Sequence, residues 1–277
     1  NGQKTPVLAE VAGLRVVSLD YCADQYVLKL LGRERILALS PDATRDFSYM
    51  RVAARGMPKV APRAEDVMVL KPDLVVRSYG GGADAGAFFA RAGVPVLHLG
   101  FAEDLAGVRR VLLETAAGFG EPARGQAVAR EMDSRVRALA KAAPRTSKPS
   151  LLYATPGGVT SGPGSLIHEL IETAGYRNFQ TQPGWQPLPL ERLAYERPDR
   201  VAMALFGRRD YNPDLWSAAR HPLMDRASDQ PPVALEGALG WLPGHCPGEV
   251  GSQWRNLLVH VLAVEVHAGF KAQGVAG

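Results

Sequence analysis

Glu65-Asp-Val-Met-Val-Leu-Lys71-Pro-Asp73-Leu-Val75-Val reads as a short helix, a stop and a buried strand. Proline cannot continue a helix and restricts the residue before it, so Lys71-Pro-Asp73 ends the helical run. Leu74 to Val76 is then a continuous apolar strand, of the kind a sheet covered on both faces needs. It leads into Gly80-Gly-Gly82. The same order of residue types recurs at a constant shift of 126. Glu65-x5-Lys71-Pro-Asp73-x-Val75 with Gly81 aligns with Glu191-x5-Arg197-Pro-Asp199-x-Val201 with Gly207. Two copies of helix, basic-Pro-Asp stop and strand predict two α/β units of one architecture.

The flanking sequence agrees. Arg15-Val-Val-Ser-Leu19 is a strand, Asp20 a helix N-cap, and Tyr21 to Leu31 a helix stopped at Gly32. Ile36 to Leu39 and Val94 to Leu99 are further strands, with a helix over Ala85 to Ala92. Strands alternating with helices predict a parallel sheet. From Glu103 to about Ala142 only helical periodicity remains, broken at Gly118 to Pro122. The alternation resumes with a strand at Ser150 to Ala154 and a helix at Ser165 to Ala174. The predicted fold is therefore α/β, with two Rossmann-like lobes (1–102 and 148–277) built on parallel central sheets. Segment 103–147 supplies a long backbone helix joining them. Parallel sheets bind ligands at the carboxyl ends of their strands, which predicts a ligand cleft between the lobes.

Composition excludes several classes. The 277 residues are 46% hydrophobic and 22% charged, with 32 basic residues against 28 acidic. The net charge of +4 is a small surplus spread along the chain, unlike the clustered basic face of a nucleic-acid binder. No apolar run reaches the ~18–20 residues of a membrane span. The polar lead-in Asn1-Gly-Gln-Lys-Thr-Pro is no signal peptide, so the chain is cytosolic or has lost its leader. Two cysteines, Cys22 and Cys246, exclude a disulfide scaffold and multi-cysteine zinc motifs, leaving one long-range bridge or two separate thiols.

Catalytic motifs are missing. Ser165 lies three residues before His168 with Glu169 following, but Gly162-Pro-Gly-Ser165 is not a nucleophile elbow, and Ser165 reads as a helix N-cap. The glycines at 157, 158, 162 and 164 do not form a phosphate loop. His260 and His267 read as helix-surface residues. Aromatic and cationic residues at strand ends point instead to ligand binding. Arg77, Ser78 and Tyr79 follow one strand; Phe206, Arg208, Arg209 and Tyr211 follow another. Trp241 and His245 follow a third, and Trp185 sits in a Gly/Pro/Gln-rich loop. Aromatic surface with convergent cations suits a large, partly apolar ligand with anionic or polar substituents.

From Arg15 to about Phe270 the chain resembles the periplasmic metal-chelate receptors of ABC importers, the helical-backbone class III substrate-binding proteins for vitamin B12, ferric siderophores and haem. The resemblance rests on Arg15-Val-Val-Ser-Leu19, on Leu70-Lys-Pro-Asp-Leu-Val-Val76, on the mid-chain helix, and on Thr160-Ser-Gly-Pro-Gly-Ser165 leading to Ala174-Gly175. It implies a monomeric periplasmic binding protein, not an enzyme, without a cofactor of its own. Such a protein captures cobalamin, a ferric siderophore or haem and delivers it to a permease dimer with its ATPase. Trp185 would stack on the ligand, with Tyr79, Arg77, Ser78, Phe206, Arg208, Arg209, Trp241 and His245 around it. Glu191, six residues after Trp185, would dock on the permease together with Asp84. The implied oxidising compartment favours a Cys22–Cys246 disulfide, the rival being a thiol that meets the ligand's metal beside His245. The alternatives are a receptor for bare zinc or manganese, and an enzyme or assembly protein on nitrogenase-like paired lobes.

Overall fold

Val16–Ser18 (β1) and Ile36–Ala38 (β2) begin a parallel sheet that Leu74–Arg77 (β3) and Val96–His98 (β4) complete in the order β2-β1-β3-β4. The computed structural model describes residues 13–45, 48–100, 102–143, 148–155, 157–204, 218–229 and 233–235. The helices between these strands are Tyr21–Leu30 (α1), Ala64–Val69 (α2) and Ala85–Arg91 (α3). Asp20 caps α1 by accepting from the Ala23 N–H. Val17, Leu19, Val67, Val75, Ala85, Phe89 and Val94 form one continuous buried cluster.

Two helices follow, Leu105–Gly118 (α4) and Pro122–Ala142 (α5). They approach closely at Gly125, where a Cβ would sit 2.4 Å from that of Ala116. The described chain divides into two compact units. One holds the residues up to Gly100 together with Gly107–Arg130, and the other holds Ala102–Ala106 and the residues from Glu131 onward. The division falls inside α5.

In the second unit Ser150–Ala154 (β5), Arg177–Asn178 (β7), Arg200–Ala204 (β9) and Val233–Leu235 (β10) form another parallel sheet, ordered β10-β9-β5-β7. Counted from the first strand of each unit, both sheets have the order 2-1-3-4. Between β5 and β7 lie Val159–Ser161 (β6) and the helix Leu166–Thr173 (α6). Trp185–Pro187 (β8) pairs antiparallel with β6, and Leu190–Leu193 (α7) leads to β9. A short helix, Pro222–Asp225 (α8), follows β9 in the described chain, and its Met224 packs with Leu152, Phe179, Leu188, Leu193 and Val201 in this unit's core. Among the described residues no helix is long and apolar enough to cross a membrane.

The repeated motif has one structural job in both units. Asp73, just before β3, accepts the Arg15 backbone N–H at 2.8 Å and its Nε at 3.1 Å. Asp199, just before β9, accepts the Ser150 backbone N–H at 2.6 Å and its hydroxyl at 2.7 Å. Each aspartate thus fastens its strand to the amino end of the neighbouring first strand, β1 or β5. These bonds hold both carboxyls below the usual aspartate range.

Candidate functional site: the carboxyl ends of the parallel strands

An order of 2-1-3-4 reverses direction between its first and third strands. A doubly wound sheet binds ligands in the crevice outside the carboxyl ends at that point. In the first unit those ends belong to β1 and β3, and the segments leaving them are Leu19–Tyr21 and Ser78–Gly82.

One carboxylate joins the two segments. Asp20 Oδ1 accepts the Ala23 N–H at 2.9 Å, and Oδ2 accepts the N–H groups of Ser78 at 2.7 Å, Tyr79 at 3.0 Å and Gly80 at 2.9 Å. Gly80 lies flat against β1's exit, where a Cβ would meet the Leu19 carbonyl oxygen at 2.4 Å. Gly81 and Gly82 follow with φ of 83° and 78°, a region that favours glycine. The Tyr79 ring meets Tyr21 edge to face at a centroid distance of 6.2 Å and stays half-buried. Arg77 is the last residue of β3, paired with His98, instead of the first loop residue expected from sequence. It is only 7% exposed, and its Nη2 donates to the Tyr79 carbonyl at 3.1 Å. Its Nε is buried without a hydrogen-bond partner among the described residues.

Below this loop a second carboxylate is enclosed. Asp24, one turn along α1, is fully buried and accepts the Ser40 N–H at 3.0 Å and the Ser40 hydroxyl at 2.6 Å. Burial outweighs these bonds and one from Ser18, and the Asp20 charge adds to the effect. The Asp24 carboxyl is pushed up to about 7.

In the second unit Trp185 is strand, not loop. It opens β8 opposite Ser161, and the Gly162 N–H closes the ladder on the Gly184 carbonyl at 2.8 Å. A three-residue strand ending in proline carries no period that sequence reading can detect. The half-buried indole meets the buried Tyr153 ring edge to face at 6.3 Å. Ser165 caps α6, its Oγ accepting the His168 N–H at 3.2 Å. His168 Nδ1 lies 3.3 Å from Asn178 Nδ2, and Glu169 accepts the Leu105 N–H at 2.7 Å. All three residues around the cap therefore do structural work.

Glu191, in the first turn of α7, is exposed, as is Asp84 ahead of α3. Cys22 is buried in the first turn of α1. Phe206, Arg208, Arg209, Tyr211, Trp241, His245, Cys246, His260 and His267 lie outside the described residues. Among the described residues no group of three or more His, Cys, Asp or Glu side chains could hold a metal ion. A cavity of about 430 Å³ at the amino ends of β5 and β9 is lined by Tyr176, Arg197, Asp199, Arg200 and Asp229. That is the opposite end of the sheet from the one that binds ligands in this architecture. Asp20 as a loop anchor and the enclosed Asp24 escape sequence reading. The signal for Asp20 is an acid placed directly between a first strand and its helix.

The profile of the periplasmic binding protein family matches residues 16–205, and the chain belongs to that family. A cobalamin-binding protein of Halobacterium salinarum is 29% identical over 203 residues, covering 70% of this chain and 55% of that protein. The chain thus spans about half the length of that relative. Among solved structures, a periplasmic haem-binding protein of Pseudomonas aeruginosa superposes with a TM-score of 0.60 at 25% identity, covering 82% of this chain and 85% of that one. The periplasmic haem-binding protein of Vibrio cholerae superposes with a TM-score of 0.67 at 17% identity, covering 93% and 98%. The family and these relatives are binding proteins by name.

Proposed function

We propose that this protein is the periplasmic substrate-binding protein of an ABC importer, capturing a metal chelate (cobalamin, a ferric siderophore or haem) and handing it to a permease dimer with its ATPase. The observation that carries this reading is the switch-point loop of the first unit. There a half-buried tyrosine and a buried arginine stand together at the carboxyl end of a parallel strand. A cationic and an aromatic side chain on one loop suit a partly apolar chelate with anionic substituents. The relatives bind cobalamin and haem by name, which supports the same ligand class here.

The residues proposed to hold the ligand are Arg77, Ser78, Tyr79 and Trp185, with Phe206, Arg208, Arg209, Trp241 and His245. Glu191 and Asp84 are proposed to meet the permease, and their exposure supports this. Residues 1–102, 103–147 and 148–277 are proposed as N-terminal lobe, helical connection and C-terminal lobe of a monomer. Cys22 and Cys246 are proposed to form a disulfide; two alkylatable thiols in the unreduced protein, read by mass spectrometry, would exclude it.

The test is a melting and tryptophan-fluorescence titration with ferric haem, cyanocobalamin and a panel of ferric siderophores. A true ligand at 100 times its Kd stabilises the protein by ~2.7 kcal/mol and quenches the indole signal. No response to any chelate, with a rise in Tm on adding zinc or manganese alone, refutes the proposal and favours a bare-metal receptor.

A further inference from the structure

We propose that Asp20 is the positioning residue of the ligand site, a single carboxylate that fixes the Ser78–Gly80 loop in its binding geometry before any ligand arrives. The inference rests on the reading of that loop as ligand surface, and it assigns a role to a residue that touches no ligand itself.

Ser78, Tyr79 and Gly80 follow the last residue of β3, so their N–H groups have no strand to donate to. All three converge on Asp20 Oδ2, between 2.7 and 3.0 Å. Asp20 is 3% exposed, so little water competes for its oxygens. An ionised acceptor taking several N–H bonds is held more firmly than neutral pairs are. Three successive donors on one oxygen also dictate the curl of the backbone. With that curl set, the Tyr79 carbonyl meets Arg77 Nη2, and the Tyr79 ring rests on Tyr21. The other oxygen of the same carboxylate caps α1, whose first residue is Tyr21. Both partners of the aromatic contact are thus set by one side chain.

The geometry separates this role from simple stabilisation of the helix. Asp20→Ser keeps a good N-cap but withdraws the acceptor from the loop. Asp20→Asn keeps the size and, with Oδ1 still capping Ala23, turns an amide donor toward three N–H donors. Both variants release the loop and spare the helix. An unordered loop must be ordered by the ligand, which lowers affinity without changing the bound state.

Amide hydrogen exchange on the ligand-free protein tests the anchor directly. In the wild type, Ser78, Tyr79 and Gly80 are protected while Gly81, Gly82 and Ala83 exchange freely. In both variants exchange at 78–80 accelerates by about tenfold or more, with α1 protection retained. Ferric haem and cyanocobalamin are then titrated as probes. Whichever binds the wild type binds the variants about tenfold more weakly, and the saturated complexes keep the wild-type absorption spectrum. Wild-type amides at 78–80 exchanging as fast as those at 81–83 overturn the proposal, and this measurement needs no variant to fold. Unchanged exchange in the variants, or an altered spectrum at saturation, overturns it too. Should the wild type bind neither probe nor any ferric siderophore of the panel, the ligand-class reading fails while the exchange result still decides the anchor.

Discussion

Asp24 makes the stability of the first unit depend on pH in a direction opposite to that of most aspartates. Its carboxyl is fully buried, and burial moves it from 3.8 to about 7 despite hydrogen bonds from Ser40 and Ser18. Between these two values the folded protein carries a proton at Asp24 that the unfolded chain has released. Stability therefore falls as pH rises, by up to ~1.4 kcal/mol per pH unit, and levels off above about 7. The whole displacement corresponds to ~4 kcal/mol, of which ~2–3 kcal/mol falls between pH 5 and 8. Asp24→Asn removes this dependence and preserves the local bonding. Its oxygen still accepts the Ser40 N–H, and its amide donates to the Ser40 hydroxyl. Denaturant unfolding of both proteins at pH 5, 6, 7 and 8 isolates the effect, because titrating groups that do not interact with Asp24 cancel in the difference. The two proteins should lie within ~1 kcal/mol at pH 5, and the variant should gain on the wild type by ~2–3 kcal/mol by pH 8. A difference that stays constant across that range would refute the assignment.

The strand clips behave in the ordinary sense. Asp73 and Asp199 are held low by their partners, so their contribution is present above the usual aspartate range and is lost as pH falls below it. Asp199→Ala should cost ~1–2 kcal/mol in neutral denaturant melts and flatten the acid limb of the stability curve; equal acid sensitivity in both proteins would argue against the clip. Gly80→Ala places a methyl 2.4 Å from the Leu19 carbonyl oxygen, a backbone contact that cannot yield by rotamer change. Its Tm should fall by an amount equivalent to ~1–3 kcal/mol, and a neutral substitution would contradict the packing of the loop on β1. Ser165→Ala removes the α6 cap and should cost ~1 kcal/mol by the same melts, while ligand affinity stays unchanged.

How far the sequence could be read depended on whether the signal was local. The Lys71-Pro-Asp73 and Arg197-Pro-Asp199 stops are legible because proline and a following β-rich run act within a few residues. Asp20 and Ser165 as N-caps are legible for the same reason. Trp185 reads as loop in sequence because its strand is held by a partner more than twenty residues earlier and leaves no period of its own. Arg77 reads as lying past its strand because only the pairing with His98 extends β3 by one residue. The roles of the acids lay furthest from view. A carboxylate that accepts from residues 58 to 60 positions away is an ordinary helix cap in one dimension.

The shift of 126 has a physical meaning. A repeat of residue types alone could reflect two helices stopped in the same way. Here the repeated aspartate performs the same bond in both units, from the loop before the third strand to the amino end of the first. That bond lies at the amino ends of the strands, where the motif secures the fold. The carboxyl ends are free to differ, and they do: the first unit ties its loop to Asp20, while the second adds the antiparallel β6–β8 pair that carries Trp185. Shared residues at one end and divergent ones at the other are what a doubled scaffold requires if each half must fold alike yet carry its own side chains at its ligand-binding end.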